Sequence, residues 1–452
     1  MKSGDNRQSM KEWAKRLILS EDRRKASEEL TGRHPYDLRR MFFELTPDER
    51  RRFLDWLEPE VIALILEESE PREQTELLEA LGPLKAASVL EHMSRDDVAD
   101  LLGGMERLEA LAFLRHMEKV EADRIRALLR YPEDTAGGLM TDEYVTVRSE
   151  HTVEEAIAHL RREARQAETI YYVYVLNERD RLVGVVSLRD LLVANPSDSV
   201  KHIMTDRVIS VPADMDQEKA AHILGRYDLL ALPVIDEDRR LLGIITVDDV
   251  IDVLIEEAGE DLERIAAVGK GERWPANALM AAAKRIPWLV LLLLIGTFTA
   301  NLLGWFEPTI QSLPILTAFM PMIAGMTGNT ATQSLALVIR RLSEDSLPEK
   351  GYRMLLRREV WTGFWIALVC GLLITGWVVW WKEDVMLGGI IGLSLFTSLF
   401  IGTLVGTLVP ILLDSFGTDP AVASGPLITT LNDVFSLMIY FGLASLFLYS
   451  LS

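Results

Sequence analysis

The chain has 452 residues, a formal net charge of −20 and one cysteine, enough length for two or three domains. Such an acidic protein is repelled by phosphate backbones and anionic lipid surfaces, which excludes nucleic acid as a partner and makes cations the natural ones. The lone Cys370 excludes a disulfide framework and a cysteine-based metal site.

The charge is unevenly spread. From Ala276 onward there are nine Lys/Arg against ten Asp/Glu, so almost the whole excess lies in front of that point. The front therefore reads as an acidic soluble protein and the back as a membrane protein. The opening MKSGDNRQSMKEWAKRL has no apolar core of the kind a signal peptide needs, so the front is expected in the cytosol. Four regions follow: a helical-repeat domain over 1–130, a paired domain over 131–255, an acidic connecting helix over 256–277 and a membrane domain over 278–452.

In the first region LDWLEPEVIALILEES, LEALGPLKAASVLEHMS and LLGGMERLEALAFLRHME align at a spacing of 24, with Leu57, Leu81 and Met105 at one position and Leu66, Leu90 and Leu114 at another. Leu and Ala recur at helical spacing while Pro59 and Pro83 punctuate the turns, so each unit is a helical pair and the whole a small α-solenoid. His92 and His116 are also 24 apart, which marks a repeated structural position rather than a ligand set.

After Tyr131 the period changes. IYYVYVLNERDRLVGVVSLRDLL recurs as LALPVIDEDRRLLGIITVDDVI, each preceded by a short strand and a helix. The two copies resemble tandem CBS domains, an α+β fold, on the residues GVVSLRDLL and GIITVDDVI. In that family the Ser/Thr and the Asp three residues on hold the ribose of an adenine nucleotide. The resemblance thus implies Ser187 and Asp190 in one copy, matched by Thr246 and Asp249 in the other, with Tyr172 and Arg189 set to stack on a base and neutralise phosphate. Many CBS pairs bind nothing, so ATP or an empty site are both open.

Three acidic groups stand out: Asp96, Asp97 and Asp100; Asp216 and Glu218 with Asp228; and Asp248, Asp249, Asp252, Glu256, Glu257, Glu260 and Asp261 along one helix. Like charges four apart destabilise a helix by ~0.2–0.5 kcal/mol per pair. Such runs are either solvated faces or seats for a hard cation such as Mg²⁺ or Ca²⁺.

Five apolar stretches are long enough to span a bilayer: Ile286 to Phe306, Pro308 to Ile339, Val360 to Trp381, Val385 to Leu413 and Gly425 to Tyr449. The loop from Arg340 to Arg358 carries six Lys/Arg, and Lys284 and Arg285 precede the first span. That bias puts the front in the cytosol and the C-terminus outside. Gly325, Gly328 and Asn329 in the second stretch and Asp433 in the fifth are poorly suited to lipid, so the helices either line a polar path or bury structural hydrogen bonds.

Helical repeats, a CBS pair, an acidic connecting helix and five spans, in that order, resemble the MgtE family of magnesium channels. YPEDTAGGLMT, MPMIAGMTGN and DPAVASGPLITTLNDV carry the likeness. The resemblance implies a homodimer in the cell membrane whose pore passes Mg²⁺, with Asp433 at the ion-selective site and Gly325, Gly328 and Asn329 in the lining. It also implies that cytosolic Mg²⁺ bridges the soluble domains and holds the pore closed. Residue by residue, that set is Asp96, Asp100, Asp216, Glu218, Asp228, Asp249, Asp252, Glu257, Glu260 and Asp261, with Asp419 at the cytosolic mouth. Two departures from the family pattern are TGNTATQ in the second stretch and Ser436 where a glycine is usual. A coupled divalent-cation carrier and a membrane-anchored nucleotide or cation sensor are the competing readings. No nucleophile with a matched base and no phosphate loop is present, so an enzyme is not expected.

Overall fold

A computed structural model describes Leu30 and residues 32–267, 278–344, 349–416, 418–422 and 425–449. The amino-terminal stretch through residue 29, the last ten residues of the expected connecting segment and the middle of the basic loop lie outside the described residues. The chain divides into two compact units, Met1–Leu254 and Ile255–Ser452.

The first unit opens with helical pairs. The first helices of the pairs begin at Pro35, Pro59, Pro83 and Arg107 and the second at Pro47, Pro71, Arg95 and Lys119, so the 24-residue period covers four pairs where the sequence alone suggested three. Proline is suited to the first helical turn because its missing N–H would be unpaired there anyway. One core position repeats through all four as Phe42, Leu66, Leu90 and Leu114, each buried. His92 and His116 each bond a backbone carbonyl four residues back at 2.8 Å, as a repeated structural position requires.

The CBS pair follows as two three-stranded sheets of identical topology. In one, β1 (Thr146–Arg148) runs parallel to β2 (Tyr172–Leu176), which pairs antiparallel with β3 (Leu182–Ser187). In the other, β4 (Val211–Pro212), β5 (Ala231–Ile235) and β6 (Leu241–Thr246) repeat the pattern. Even the irregularity recurs, between Val175 and Leu176 and between Val234 and Ile235. The expected acidic helix is continuous from Val247 to Ile265.

Among the described residues the second unit contains four helices long and apolar enough to cross a membrane: Ala278–Gly304, Gly351–Lys382, Val385–Ser415 and Gly425–Phe447. The expected second span differs. Pro308 to Ile339 is not one helix but a short helix Glu307–Ser312, a 3₁₀ segment Pro314–Phe319 and a 25-residue helix Met320–Glu344. Pro314 and Pro321 break the run, and Thr, Asn and Gln make the last helix too polar to stand in lipid alone. It is enclosed instead, against Val385–Ser415 and Gly425–Tyr449. Glycines set how close those helices come: a Cβ built on Gly406 would lie 2.2 Å from the Ala331 carbonyl oxygen.

Candidate functional site

Three of the sites expected from the sequence can be followed in the structure. In the membrane unit, Gly328 on Met320–Glu344 faces the last helix. A Cβ there would lie 2.7 Å from Thr429 Cγ2 and 3.9 Å from Asp433 Oδ1. The hydroxyls of Thr332 and Thr429 are 3.1 Å apart one turn away. Gly325 and Asn329 do not share this contact. With Pro321 and Gln333 they form an exposed strip along the same helix, four residues apart. A polar strip facing outward beside a half-buried carboxylate is unsuited to lipid, since an amide left in hydrocarbon has no partner. Ser436 donates to the Asp433 carbonyl at 3.0 Å, so the hydroxyl that replaces a glycine is satisfied within its own helix.

In the first unit, the acidic residues separate into two sets. Asp96 is 8 % exposed, and its Oδ1 has no hydrogen-bond partner among the described residues. Burial, then the nearby charges of Asp97, Asp249 and Glu168, push its carboxyl up to about 8. Asp97, more open to water than Asp96, is pushed up to about 7 by partial desolvation and then by the charges of Glu67 and Asp249. Glu67 rises to about 7, chiefly by burial with the charges of Glu168 and Glu68 adding to it. Asp249 and Glu168 are raised by burial too. One group of carboxylates therefore spans the end of a solenoid helix, the first turn of another, the loop before β2 and the start of the Val247–Ile265 helix. Its neighbour Arg95 is turned elsewhere: it holds Glu121 at 2.6 and 3.2 Å, Asp142 at 3.0 Å and Glu143 at 3.2 Å.

The other expected acids lie apart from this group. Asp100 lines a cleft of about 490 Å³ with Tyr131, Glu133 and Asp134. Asp216 caps the helix Gln217–Arg226 by accepting from the Lys219 N–H at 3.2 Å, the usual task of an N-cap aspartate. Glu218 lies 3.7 Å from the His222 ring, and Asp228 follows that helix in the left-handed conformation, with φ 51°. Asp252 is exposed on the connecting helix, and Glu257 and Asp261 follow in its second half. Among the described residues no three His, Cys, Asp or Glu side chains converge closely enough to hold a bare metal ion.

The nucleotide residues form a compact motif. The Ser187 hydroxyl donates to Asp190 at 2.6 Å, the Asp190 N–H donates back to Ser187 at 3.1 Å, and Tyr172 pairs with Ser187 across β2 and β3. Arg189 is exposed in the same turn. The second copy repeats the pair, Thr246 donating to Asp249 at 2.6 Å.

Glu67, Glu168 and Arg264 were not anticipated. Arg264 bonds Glu260 at 2.7 Å and also pairs with Asp419, joining two of the expected acids through a guanidinium. The four-residue spacing to Glu260 was a readable signal. The long-range partners of Glu67, Glu168 and Arg264 left none.

Comparison with known proteins gives matches along about three quarters of the chain. Residues 33–134 match the family model for the MgtE intracellular N domain, 136–196 and 200–256 that for the CBS domain, and 320–443 that for MgtE, a divalent cation transporter. The chain is 45 % identical to the magnesium transporter MgtE of Bacillus subtilis over 73 % of each chain. It is 43 % identical to that of Thermus thermophilus over 72 % of each. Among solved structures it resembles the soluble part of a magnesium transporter, at 35 % identity and a TM-score of 0.53 over 56 % of this chain and 99 % of that one. It also resembles the cytosolic domain of the Mg²⁺ channel MgtE in complex with ATP, at 43 % identity and a TM-score of 0.50 over 53 % and 98 %.

Proposed function

The chain belongs to the MgtE family of magnesium transporters, and from that premise we propose that it is a homodimeric Mg²⁺ channel of the cell membrane, closed by Mg²⁺ on its cytosolic side. The relatives that match it over nearly three quarters of its length are named as magnesium transporters. The observation that carries the reading is the outward-facing strip of Pro321, Gly325, Asn329 and Gln333, on the helix whose Gly328 would place a Cβ 3.9 Å from Asp433 Oδ1. In a single subunit that strip would lie against lipid. Facing a second copy, it would line a watered path with an Asp433 from each side. Mg²⁺ sheds its water reluctantly, so a carboxylate pair contacting the hydrated ion allows both selection and release.

The crowded carboxylates of the soluble unit support the gating half of the reading. Glu67, Asp96, Asp97, Glu168 and Asp249 are brought together with their charge partly desolvated. A divalent cation would relieve that repulsion, and one that keeps its water needs no tight chelate. Asp100, Asp216, Glu218, Asp228 and Asp252, and in the second unit Glu257, Glu260, Asp261 and Asp419, would be further carboxylates on which such ions act. The CBS pair would take ATP at Tyr172, Ser187, Arg189 and Asp190, as the similar ATP-bound cytosolic domain suggests. Binding there needs the Ser187–Asp190 bond to open toward the ribose. The basic loop between Arg340 and Arg358 favours cytosolic soluble domains and an outside C-terminus.

The test is Mg²⁺ entry into liposomes holding the purified protein, as a function of Mg²⁺ on the face that carries the soluble domains. Entry that falls as that concentration rises, and that is lost in Asp433→Ala, is the expected result. Equal entry in Asp433→Ala would sink the pore assignment, and entry indifferent to the soluble-face Mg²⁺ would sink the gating.

A further inference from the structure

Asn432, the residue before Asp433, is 1 % exposed, and its Nδ2 has no hydrogen-bond partner among the described residues. A buried amide with an unmet donor is costly, so packing rather than hydrogen bonding must hold it where it is. Gly402, on the Val385–Ser415 helix, supplies the seat. A Cβ built on Gly402 would lie 3.2 Å from both Nδ2 and Oδ1 of Asn432 and 3.1 Å from the Thr327 carbonyl oxygen. The absent side chain of Gly402 is thus the notch into which the amide fits, at the meeting of three helices.

Consecutive residues on an α-helix point ~100° apart. Seating Asn432 therefore fixes the direction of Asp433. On that neighbouring face the carboxylate comes to Gly328, with Oδ1 3.9 Å from where a Cβ would be, while Thr429 closes on the same glycine. The last helix is consequently held on two faces, by the 402–432 contact and by the 328–429 contact, and Asp433 lies on the second. Thr327 and Gly328, adjacent on the Met320–Glu344 helix, contribute one to each.

We propose that Asn432 is a positioning residue for ion selection, acting through the notch at Gly402 to fix the rotation of the last helix and with it the aim of Asp433. This rests on Asp433 being the selecting carboxylate. Asn432 itself touches no ion.

The experiment is the Mg²⁺ to Na⁺ permeability ratio of the purified full chain in planar bilayers, for Asn432→Ala, Gly402→Ala and the double variant. A loss of about tenfold in the ratio is expected for Asn432→Ala, within the range by which contacting residues couple. Gly402→Ala should also lower the ratio, because its methyl, 3.2 Å from both polar atoms of the amide, must push Asn432 by a few tenths of an ångström. The double variant should recover most of the ratio, since the methyl then fills the space the amide has left. If Gly402→Ala does not assemble, Asn432→Ser takes its place, with a loss smaller than that of Asn432→Ala. A wild-type ratio in Asn432→Ala, or a double variant no better than Gly402→Ala, overturns the inference. Asp433→Ala measured alongside separates the two failures: retained selectivity there refutes the role of Asp433, whereas selectivity lost there but kept in Asn432→Ala refutes only the role of Asn432.

Discussion

Arg264 reaches Asp419, 155 residues further along the chain, while it also holds Glu260 one helical turn back at 2.7 Å. Ile265 beside it joins the apolar cluster of Ala331, Leu335, Ile339, Ala421 and Ile428, and a Cβ on Gly425 would lie 3.3 Å from its carbonyl oxygen. The end of the connecting helix is therefore fastened to the start of the last membrane helix by a charge and an apolar contact together. A guanidinium does here, permanently, what a bound cation would do conditionally.

Arg264→Gln removes that fixed charge and leaves Glu260 and Asp419 facing each other. A partly exposed pair contributes ~0.2–1 kcal/mol, so under the proposed gating the soluble-face Mg²⁺ needed for half-closure should rise by about 1.4-fold to fivefold. Flux measured against soluble-face Mg²⁺ reads this directly. Arg264→Lys should recover part of the shift, and an unchanged curve in Arg264→Gln would mean that the ion pair does not bear on closure.

The carboxylates around Asp96 give the packing of the first unit a definite pH dependence. Asp96 has a folded value of about 8, far above the usual ~3.9 of an aspartate, so the packed form binds a proton that the separated form has released. Without divalent ions the packing is favoured at low pH and weakens as pH rises through about 8. Melting of the full chain in chelator should thus occur several degrees higher at about pH 6 than at about pH 8. Saturating Mg²⁺ should shrink the difference, because cation binding releases those protons. A melting temperature that rises with pH in chelator would contradict the burial of Asp96.

Arg95→Gln should be among the most damaging changes in the soluble unit. The side chain is 13 % exposed and serves Glu121, Asp142 and Glu143 at once, so its loss leaves Glu121 and Glu143 without their ion pair and Asp142 with only the longer contact to Arg124 at 3.7 Å. Breaking a buried pair from one side typically costs about 3–5 kcal/mol. The expected result is a lower melting temperature and faster proteolysis near residues 131–143, at any Mg²⁺ concentration. Rescue by Mg²⁺ would show that the site accepts a divalent ion in place of the guanidinium.

Gly406 and Gly442 offer a controlled comparison in the membrane helices. A methyl on Gly406 would press on the Ala331 carbonyl at 2.2 Å, whereas one on Gly442 would meet nothing within 4 Å. Overpacking costs ~1–3 kcal/mol, so Gly406→Ala should lower the thermal stability of the detergent-solubilised protein and Gly442→Ala should leave it unchanged. Equal behaviour would mean the two helices separate more freely than their contact implies.

Periodic features were the most legible in the sequence. The 24-residue spacing of Leu66, Leu90 and Leu114 and the doubled GVVSLRDLL and GIITVDDVI gave the solenoid and the CBS pair, because each unit repeats the same local pattern. The first copy of the repeat is less legible, because Phe42 stands there in place of leucine. The membrane helices were legible from apolarity except where function removes it, so Met320–Glu344 was joined to a stretch that Pro314 and Pro321 interrupt. Asp249 could be singled out because it stands three residues after Thr246, as Asp190 does after Ser187. Glu67 and Glu168 could not, since what makes them unusual is the company of residues far away in the chain. Gly402 was equally silent, as a glycine's value depends on what occupies the space beside it.

The polarity of the Met320–Glu344 helix also bears on how the protein is made. A helix whose threonines, Asn329 and Gln333 are poorly suited to hydrocarbon gains little by leaving the insertion machinery alone. Its enclosing neighbours, Val385–Ser415 and Gly425–Tyr449, are synthesised after it. It must therefore be retained at the translocation site, or shielded by a chaperone, until they arrive. Nascent chains cut short before Val385 would be the ones the cell has to clear.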